Sequence, residues 1–119
     1  MTFDHSSGDK GRRLQEIVAR RTVAIPGASN ALTAVQIERA GFDAVYVSGA
    51  AVSAARGLPD IGLISLTEMV GEAGLIARAV AIPTIVDADT GYGPPSTVMN
   101  AVREFERAGI AGMQIEDQE

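Results

Sequence analysis

A chain of 119 residues that is 46% hydrophobic, with a mean hydropathy of +0.14, is long enough for one small domain with a real core, which excludes a disordered polypeptide. Its formal net charge of -5, with the basic residues dispersed among acidic ones and no Lys or Arg run, argues against a nucleic-acid partner. It has no cysteine, so disulfides and thiolate metal sites are excluded, and it has no secretory leader or apolar run of about eighteen residues, so a soluble cytoplasmic protein away from membranes is expected.

The first residues form a polar tail holding the lone His5, which is expected to be solvated there and not a ligand or base. From Lys10 to Arg21, Leu14, Ile17 and Val18 recur at helical spacing, so residues 1–22 are predicted as a tail and one helix. Val23-Ala24-Ile25 is a short apolar run stopped by Pro26-Gly27 and predicts a first strand. Asn30 is placed to cap a helix over Ala31 to Ala40, which Gly41 ends. The next run, Ala44-Val45-Tyr46-Val47, is apolar on both faces, as in a parallel sheet covered on both sides.

Residues 51–64 are too rich in Gly and Pro for one uninterrupted element and predict a long connection. Ser65 and Glu68 fit a capping box, and Met69, Ala73, Ile76, Ala77 and Val80 form the apolar stripe of the helix that follows. After Pro83, the run Thr84-Ile85-Val86 leads into Asp87-Ala88-Asp89-Thr90-Gly91-Tyr92-Gly93. Alternation along a strand would put Asp87 and Asp89 on one face, within reach of one hard divalent cation such as Mg²⁺. The competing reading is a strand end followed by an ordinary turn, since paired Asp residues also cap and turn. Ser96 is placed to cap a further helix carrying Val98, Val102 and Phe105, Gly109 stops it, and Gly112 to Ile115 read as a last strand.

Strands alternating with helices predict an α/β fold, a parallel sheet with outer helices and right-handed crossovers. Glu38-Arg39-Ala40-Gly41 before one strand recurs as Glu106-Arg107-Ala108-Gly109 before another, as in an array of βα units. In such folds ligand groups gather at the carboxyl ends of the strands, where Ser48, Asp87, Asp89 and Glu116 all fall. Clustered carboxylates repel one another unless a cation joins them. Asp60 is a further candidate, although a Pro-Asp pair is also an ordinary turn.

Four stretches, Tyr46-Val47-Ser48-Gly49-Ala50, Gly57-Leu58-Pro59-Asp60-Ile61-Gly62, Val86 to Gly93, and Ile115-Glu116-Asp117-Gln118, resemble in order and spacing the motifs of the isocitrate lyase and phosphoenolpyruvate mutase superfamily. The likeness is greatest to its methylisocitrate lyase branch and runs from about Ile25 to the last residue. It implies a (β/α)₈ TIM-type barrel of cytoplasmic, homo-oligomeric enzymes that bind Mg²⁺ and cleave 2-methylisocitrate to pyruvate and succinate in propionate catabolism, the methylcitrate cycle. By motif, Asp87 and Asp89 match the metal-binding pair, and Asp60 and Glu116 match residues holding the ion's water shell. Ser48, Gly49 and Ala50 match a segment that binds the oxo-acid carboxylate, and Tyr46 matches a catalytic-pocket tyrosine.

Ala50 stands where Gly is frequent, and the Cys-Gly-His loop that supplies the lyases' general acid has no counterpart in a chain without cysteine. A complete barrel needs about 250 residues. Residues 23–119 are therefore expected to form part of one, about four strands, truncated before that loop. Two other readings stay open: a phosphoenolpyruvate mutase-like or oxaloacetate-cleaving relative, and a non-catalytic open α/β module that binds a small anion or a protein partner.

Overall fold

The computed structural model describes residues 7–118, so His5 and the rest of the polar tail lie outside the described residues. In chain order the elements are α1 (Ser7–Arg20), α2 (Ala31–Arg39), β1 (Val45–Val47), α3 (Gly49–Ala55), α4 (Leu66–Ala79), β2 (Thr84–Asp87), α5 (Pro95–Arg107) and β3 (Gly112–Gln114). The strands form one parallel sheet in the order β1-β2-β3, with Val47 opposite Val86 and Asp87 opposite Gln114.

The expected first strand at Val23-Ala24-Ile25 does not form. Instead, the chain two residues later makes a single bridge, Gly27 to Tyr46, with the Tyr46 amide donating to the Pro26 carbonyl and the Ala28 amide donating to the Tyr46 carbonyl. Proline has no N–H to extend a ladder, which limits the contact to one step.

One face of the sheet is buried against helices and the other is open. Val45, Val47, Thr84 and Val86 are fully buried, whereas Tyr46, Ile85 and Asp87 between them are only partly so. The expectation that β1 is covered on both faces is corrected accordingly: Tyr46 lies on the less covered side. Beneath the buried face, Ala34 and Ile37 of α2, Met69, Ala73, Ile76 and Ala77 of α4, and Phe105 of α5 make one core with the strand valines. Phe105 is its largest fully buried side chain, and its truncation to Ala would cost about 3–5 kcal/mol.

Helix ends follow local signals. Asn30 caps α2 by accepting from the Thr33 amide, and Ser65 and Glu68 close the capping box of α4. At the other end of α4, the buried Lys10 ammonium donates to the carbonyls of Ala77 and Val80 at 3.1 and 3.0 Å, and Arg13 donates to that of Ala81. These cations meet the negative end of the helix dipole, so α1 is tied to the sheet layer as much by charge as by Leu14. Val18, expected in the apolar stripe of α1, is 52% exposed.

The repeated Glu-Arg-Ala-Gly segment builds the same joint twice. Gly41 and Gly109 both take φ of 92°, a left-handed helix stop, and the following amides, Phe42 and Ile110, return to Ile37 and Phe105. Glu38 also accepts the amides of Ala81 and Ile82 ahead of β2, whereas Glu106 is exposed beside a groove of about 350 Å³ along the start of β3.

Two boundaries differ from expectation. Residues 51–55, read as the beginning of a long connection, belong to helix α3, which starts at Gly49, is capped by Ser48 accepting from the Ala51 amide and is favoured by four alanines in seven residues. Helix α5 starts at Pro95 with Pro94, not Ser96, as its N-cap, because the fixed φ of proline suits the first turn and its missing N–H costs nothing there.

Candidate metal site

At the carboxyl ends of the strands, Asp87 is the last residue of β2, and its two oxygens are both engaged. Oδ2 accepts the Gly49 amide at 3.2 Å and Oδ1 accepts the Asp89 amide at 3.0 Å. The first bond ties β2 to the start of α3, and the second folds the chain beyond β2 back upon it. Asp89 therefore does not share a strand face with Asp87, as alternation predicted. It sits at φ of 50° in a turn closed by the Gly91 amide on the Ala88 carbonyl. Asp is among the residues that adopt this left-handed geometry most readily.

Gly91 is obligatory in that turn: its φ is 96°, and a Cβ would lie 2.5 Å from a Val98 methyl. Tyr92 follows at φ of 69°, a costly conformation for a bulky side chain, with its ring packed at 6.3 Å on Phe105.

The turn is continuous with β3. The Ala88 amide donates to the Gln114 carbonyl and the Glu116 amide to the Asp89 carbonyl, so the pairing of β2 and β3 runs past both strands and sets Glu116 beside Asp89. From the other side comes the loop of residues 57–64, close enough that a Cβ on Gly62 would sit 3.9 Å from Asp89 Oδ2.

Together these segments enclose a cavity of about 70 Å³ lined by Gly49, Asp60, Gly62, Ile64, Met69, Asp87, Asp89, Tyr92 and Glu116. Of the residues singled out in the sequence, Asp60, Asp87, Asp89, Glu116 and Gly49 converge here. Tyr46, Ser48 and Ala50 do not line it. Tyr46 donates its phenol proton to Gln114 Oε1 at 2.9 Å across β2, Ser48 caps α3, and Ala50 is exposed. Sequence reading missed two members of this region, Tyr92 and Gln114. The placement of Tyr92 between two glycines was the available signal for the first; Gln114 shares strand parity with Glu116, but its bond to Tyr46 becomes visible only through the strand register.

The electrostatics are those of concentrated negative charge. Among the described residues none of the four carboxylates takes part in a salt bridge. Burial, then the charges of Asp87 and Asp89, push the Tyr92 phenol up to about 12, and burial, Asp87 and Glu116 raise that of Tyr46. Both phenols are thus held as neutral donors through the neutral range. Glu116 also receives the side-chain amide of Gln118.

A divalent ion fits this donor set: all side-chain donors are oxygens, and a cation would relieve the repulsion. Among the described residues no three acidic or imidazole groups are close enough to ligate one ion directly. The chemistry that suits is a magnesium held by one or two carboxylates and reached by the others through its waters.

Comparison with known proteins gives a consistent result. The profile of the phosphoenolpyruvate phosphomutase family matches residues 14–119. The chain is 48% identical over 108 residues to a 2,3-dimethylmalate lyase of Eubacterium barkeri, which covers 89% of this chain and 37% of that protein. It is 47% identical over 109 residues to a 2-methylisocitrate lyase of Aeropyrum pernix, covering 91% and 35% respectively. A solved phosphonopyruvate hydrolase in complex with oxalate and Mg²⁺ superposes with a TM-score of 0.89 at 32% identity, over 92% of this chain and 39% of that one. The chain thus spans little more than a third of the length of the proteins it matches.

Proposed function

The chain belongs to the phosphoenolpyruvate mutase and isocitrate lyase family, and from that premise we propose that it forms the metal-binding part of a Mg²⁺-dependent carbon–carbon lyase acting on 2-methylisocitrate. The observation that carries this reading is the convergence of Asp60, Asp87, Asp89 and Glu116 on one small cavity at the strand ends. On this reading Asp87 and Asp89 hold the ion, and Asp60 and Glu116 accept hydrogen bonds from its waters. A bound Mg²⁺ supplies Lewis-acid stabilisation of the negative charge that develops on the oxo-acid fragment as the bond breaks.

The chain's own residues supply the rest of the setting. The Gly49 amide fixes the Asp87 carboxylate, so the ion's chief ligand is oriented before anything binds. Tyr46, whose phenol proton is engaged by Gln114 Oε1, stands on the open face of the sheet and could turn that proton to an oxo-acid substrate only by releasing Gln114. The whole enzyme is then a cytoplasmic homo-oligomer; among the described residues no helix is long and apolar enough to cross a membrane.

A second reading is cleavage of a dimethylmalate-type substrate, because identity to the E. barkeri lyase, at 48%, is within one percentage point of that to the A. pernix enzyme, at 47%. The two substrates differ in the acid that carbon–carbon cleavage would release beside the oxo acid. The experiment is to supply the chain, completed to a whole barrel, with 2-methylisocitrate, 2,3-dimethylmalate, oxaloacetate and phosphonopyruvate in turn, with Mg²⁺. Mg²⁺-dependent release of pyruvate and succinate from the first substrate is expected, and preferential turnover of any of the others would overturn the assignment.

A further inference from the structure

We propose that Glu68 is a positioning residue for the candidate metal site, a single carboxylate that fastens both ends of the loop carrying Asp60. The inference rests on the reading of that cavity as a metal site. Residues 57–64 leave helix α3 after Arg56 and enter helix α4 at Ser65. The two oxygens of Glu68 divide between these ends: Oε2 accepts Arg56 Nη1 at 2.6 Å, and Oε1 accepts the Ser65 backbone N–H at 3.1 Å. Ser65 Oγ accepts the Glu68 amide in return, and the second Arg56 nitrogen donates to Glu72 Oε1 at 2.8 Å.

Between those ends the loop has little of its own to hold it. Leu58 packs against the core and its amide donates to the Ser53 carbonyl, and Ile64 is buried. From Pro59 to Leu63 the chain is exposed, with Ile61 at 72% and Leu63 at 51%, and its one backbone bond is local, Ile61 to Pro59. Asp60 and Gly62, the exposed loop residues that line the cavity beside buried Ile64, thus inherit their position from the two fastened ends.

A half-exposed ion pair adds little to global stability, so the loss of Glu68 is expected to appear in the placement of Asp60 more than in the melting of the fold. Glu68 needs no contact with ion or substrate to act in this way, and a capping box alone would not require the Arg56 half of the arrangement.

The test uses Mn²⁺ alone as probe, with binding followed by electron paramagnetic resonance, together with hydrogen exchange of the Gly57 and Leu58 amides, which bond within α3 and not to Glu68. Glu68→Ala is expected to speed that exchange by about tenfold, as a locally loosened segment does. It should weaken Mn²⁺ binding by about tenfold, the lower end of what losing an outer partner costs a metal site. Asp60→Asn should weaken binding similarly, and adding Glu68→Ala to it should weaken it no further, the mark of one residue acting through the other. Glu72→Gln, which removes only the second ion pair, should leave both readouts nearly unchanged.

Additive losses in the double variant would show a merely structural role and overturn the proposal. If Glu68→Ala changes neither readout while Asp87→Asn abolishes Mn²⁺ binding, the clasp is wrong and the metal reading stands. If the wild-type chain takes up no Mn²⁺, both fall. Arg56→Met, which cuts only the α3 end, carries the same expectations at smaller size should Glu68→Ala not fold.

Discussion

The carboxylate of Asp87 holds the backbone of Asp89: Oδ1 accepts the Asp89 amide at 3.0 Å and thereby sets the turn that carries the second carboxylate into the cavity. One residue thus supplies both a cavity-lining carboxylate and the scaffold for its neighbour. Asp87→Asn retains one side-chain oxygen as an acceptor but removes the charge. It is expected to keep the far-ultraviolet circular dichroism of the wild type and to weaken Mn²⁺ or Mg²⁺ binding by about tenfold or more. Calorimetric titration with either ion checks this, and unchanged affinity would remove Asp87 from the metal site.

Acid should loosen the α4 entrance. Hydrogen bonds from the Ser65 backbone N–H, then the Ser65 hydroxyl, hold the Glu68 carboxyl below its ordinary 4.5 against a smaller cost of burial, with Arg56 adding to the lowering. A carboxyl lowered in the folded state stabilises fully above its unfolded value and loses that contribution as pH falls through the folded value. The difference in melting temperature between wild type and Glu68→Gln should therefore be constant at neutral pH and close on acidification below 4.5. A difference that widens in acid would contradict the sign.

Thr84 is fully buried in β2, and its hydroxyl has no hydrogen-bond partner among the described residues. An unpaired buried hydroxyl costs about 1–3 kcal/mol. Thr84→Val, which keeps the β-branched shape, should raise the urea midpoint by the equivalent of about 1 kcal/mol. A lowered midpoint would reveal a partner for the hydroxyl, such as a buried water.

Residues 1–119 on their own are expected to have no lyase activity even with Mg²⁺. The open face of the sheet leaves Gln114 exposed and Tyr46 only partly covered, so water reaches the side of the sheet on which a substrate would have to be shielded. The general acid that the family resemblance implies is a cysteine, these 119 residues contain none, and acid help of that kind typically contributes about 10²–10⁴-fold. Pyruvate release from 2-methylisocitrate by these residues, at a rate near that of a completed barrel, would show that the chemistry has been misplaced.

Where the governing interaction spans only a few residues, the sequence was enough. Asn30 caps α2, Ser65 and Glu68 form the capping box, and Gly41 and Gly109 stop their helices, because each bond closes within a handful of positions. The parallel α/β architecture was equally legible, since the alternation of apolar runs and helical stripes reflects which faces can be buried. Short elements misled: α3 was hidden by the Gly-rich stretch after it, and the run at Val23-Ala24-Ile25 meets Pro26, which has no N–H to carry the ladder from Gly27 back into it.

The site is another matter. That Asp87 and Asp89 belong together could be read from their spacing, but the reason was not strand parity: it is the left-handed turn held by Asp87 itself. Strand ends and family motifs also named Glu116 and Asp60, but how they reach the cavity, that Tyr46 bonds Gln114, and that Tyr92 closes the cavity are consequences of the register setting Asp87 opposite Gln114 and of a loop pinned at both ends by Glu68. Local preferences act over one or two turns of chain. Bringing residue 60 to residue 87 and residue 116 to residue 89 depends on the packing of α4 beneath the sheet and on inter-strand hydrogen bonds, which exist only once the tertiary structure has formed.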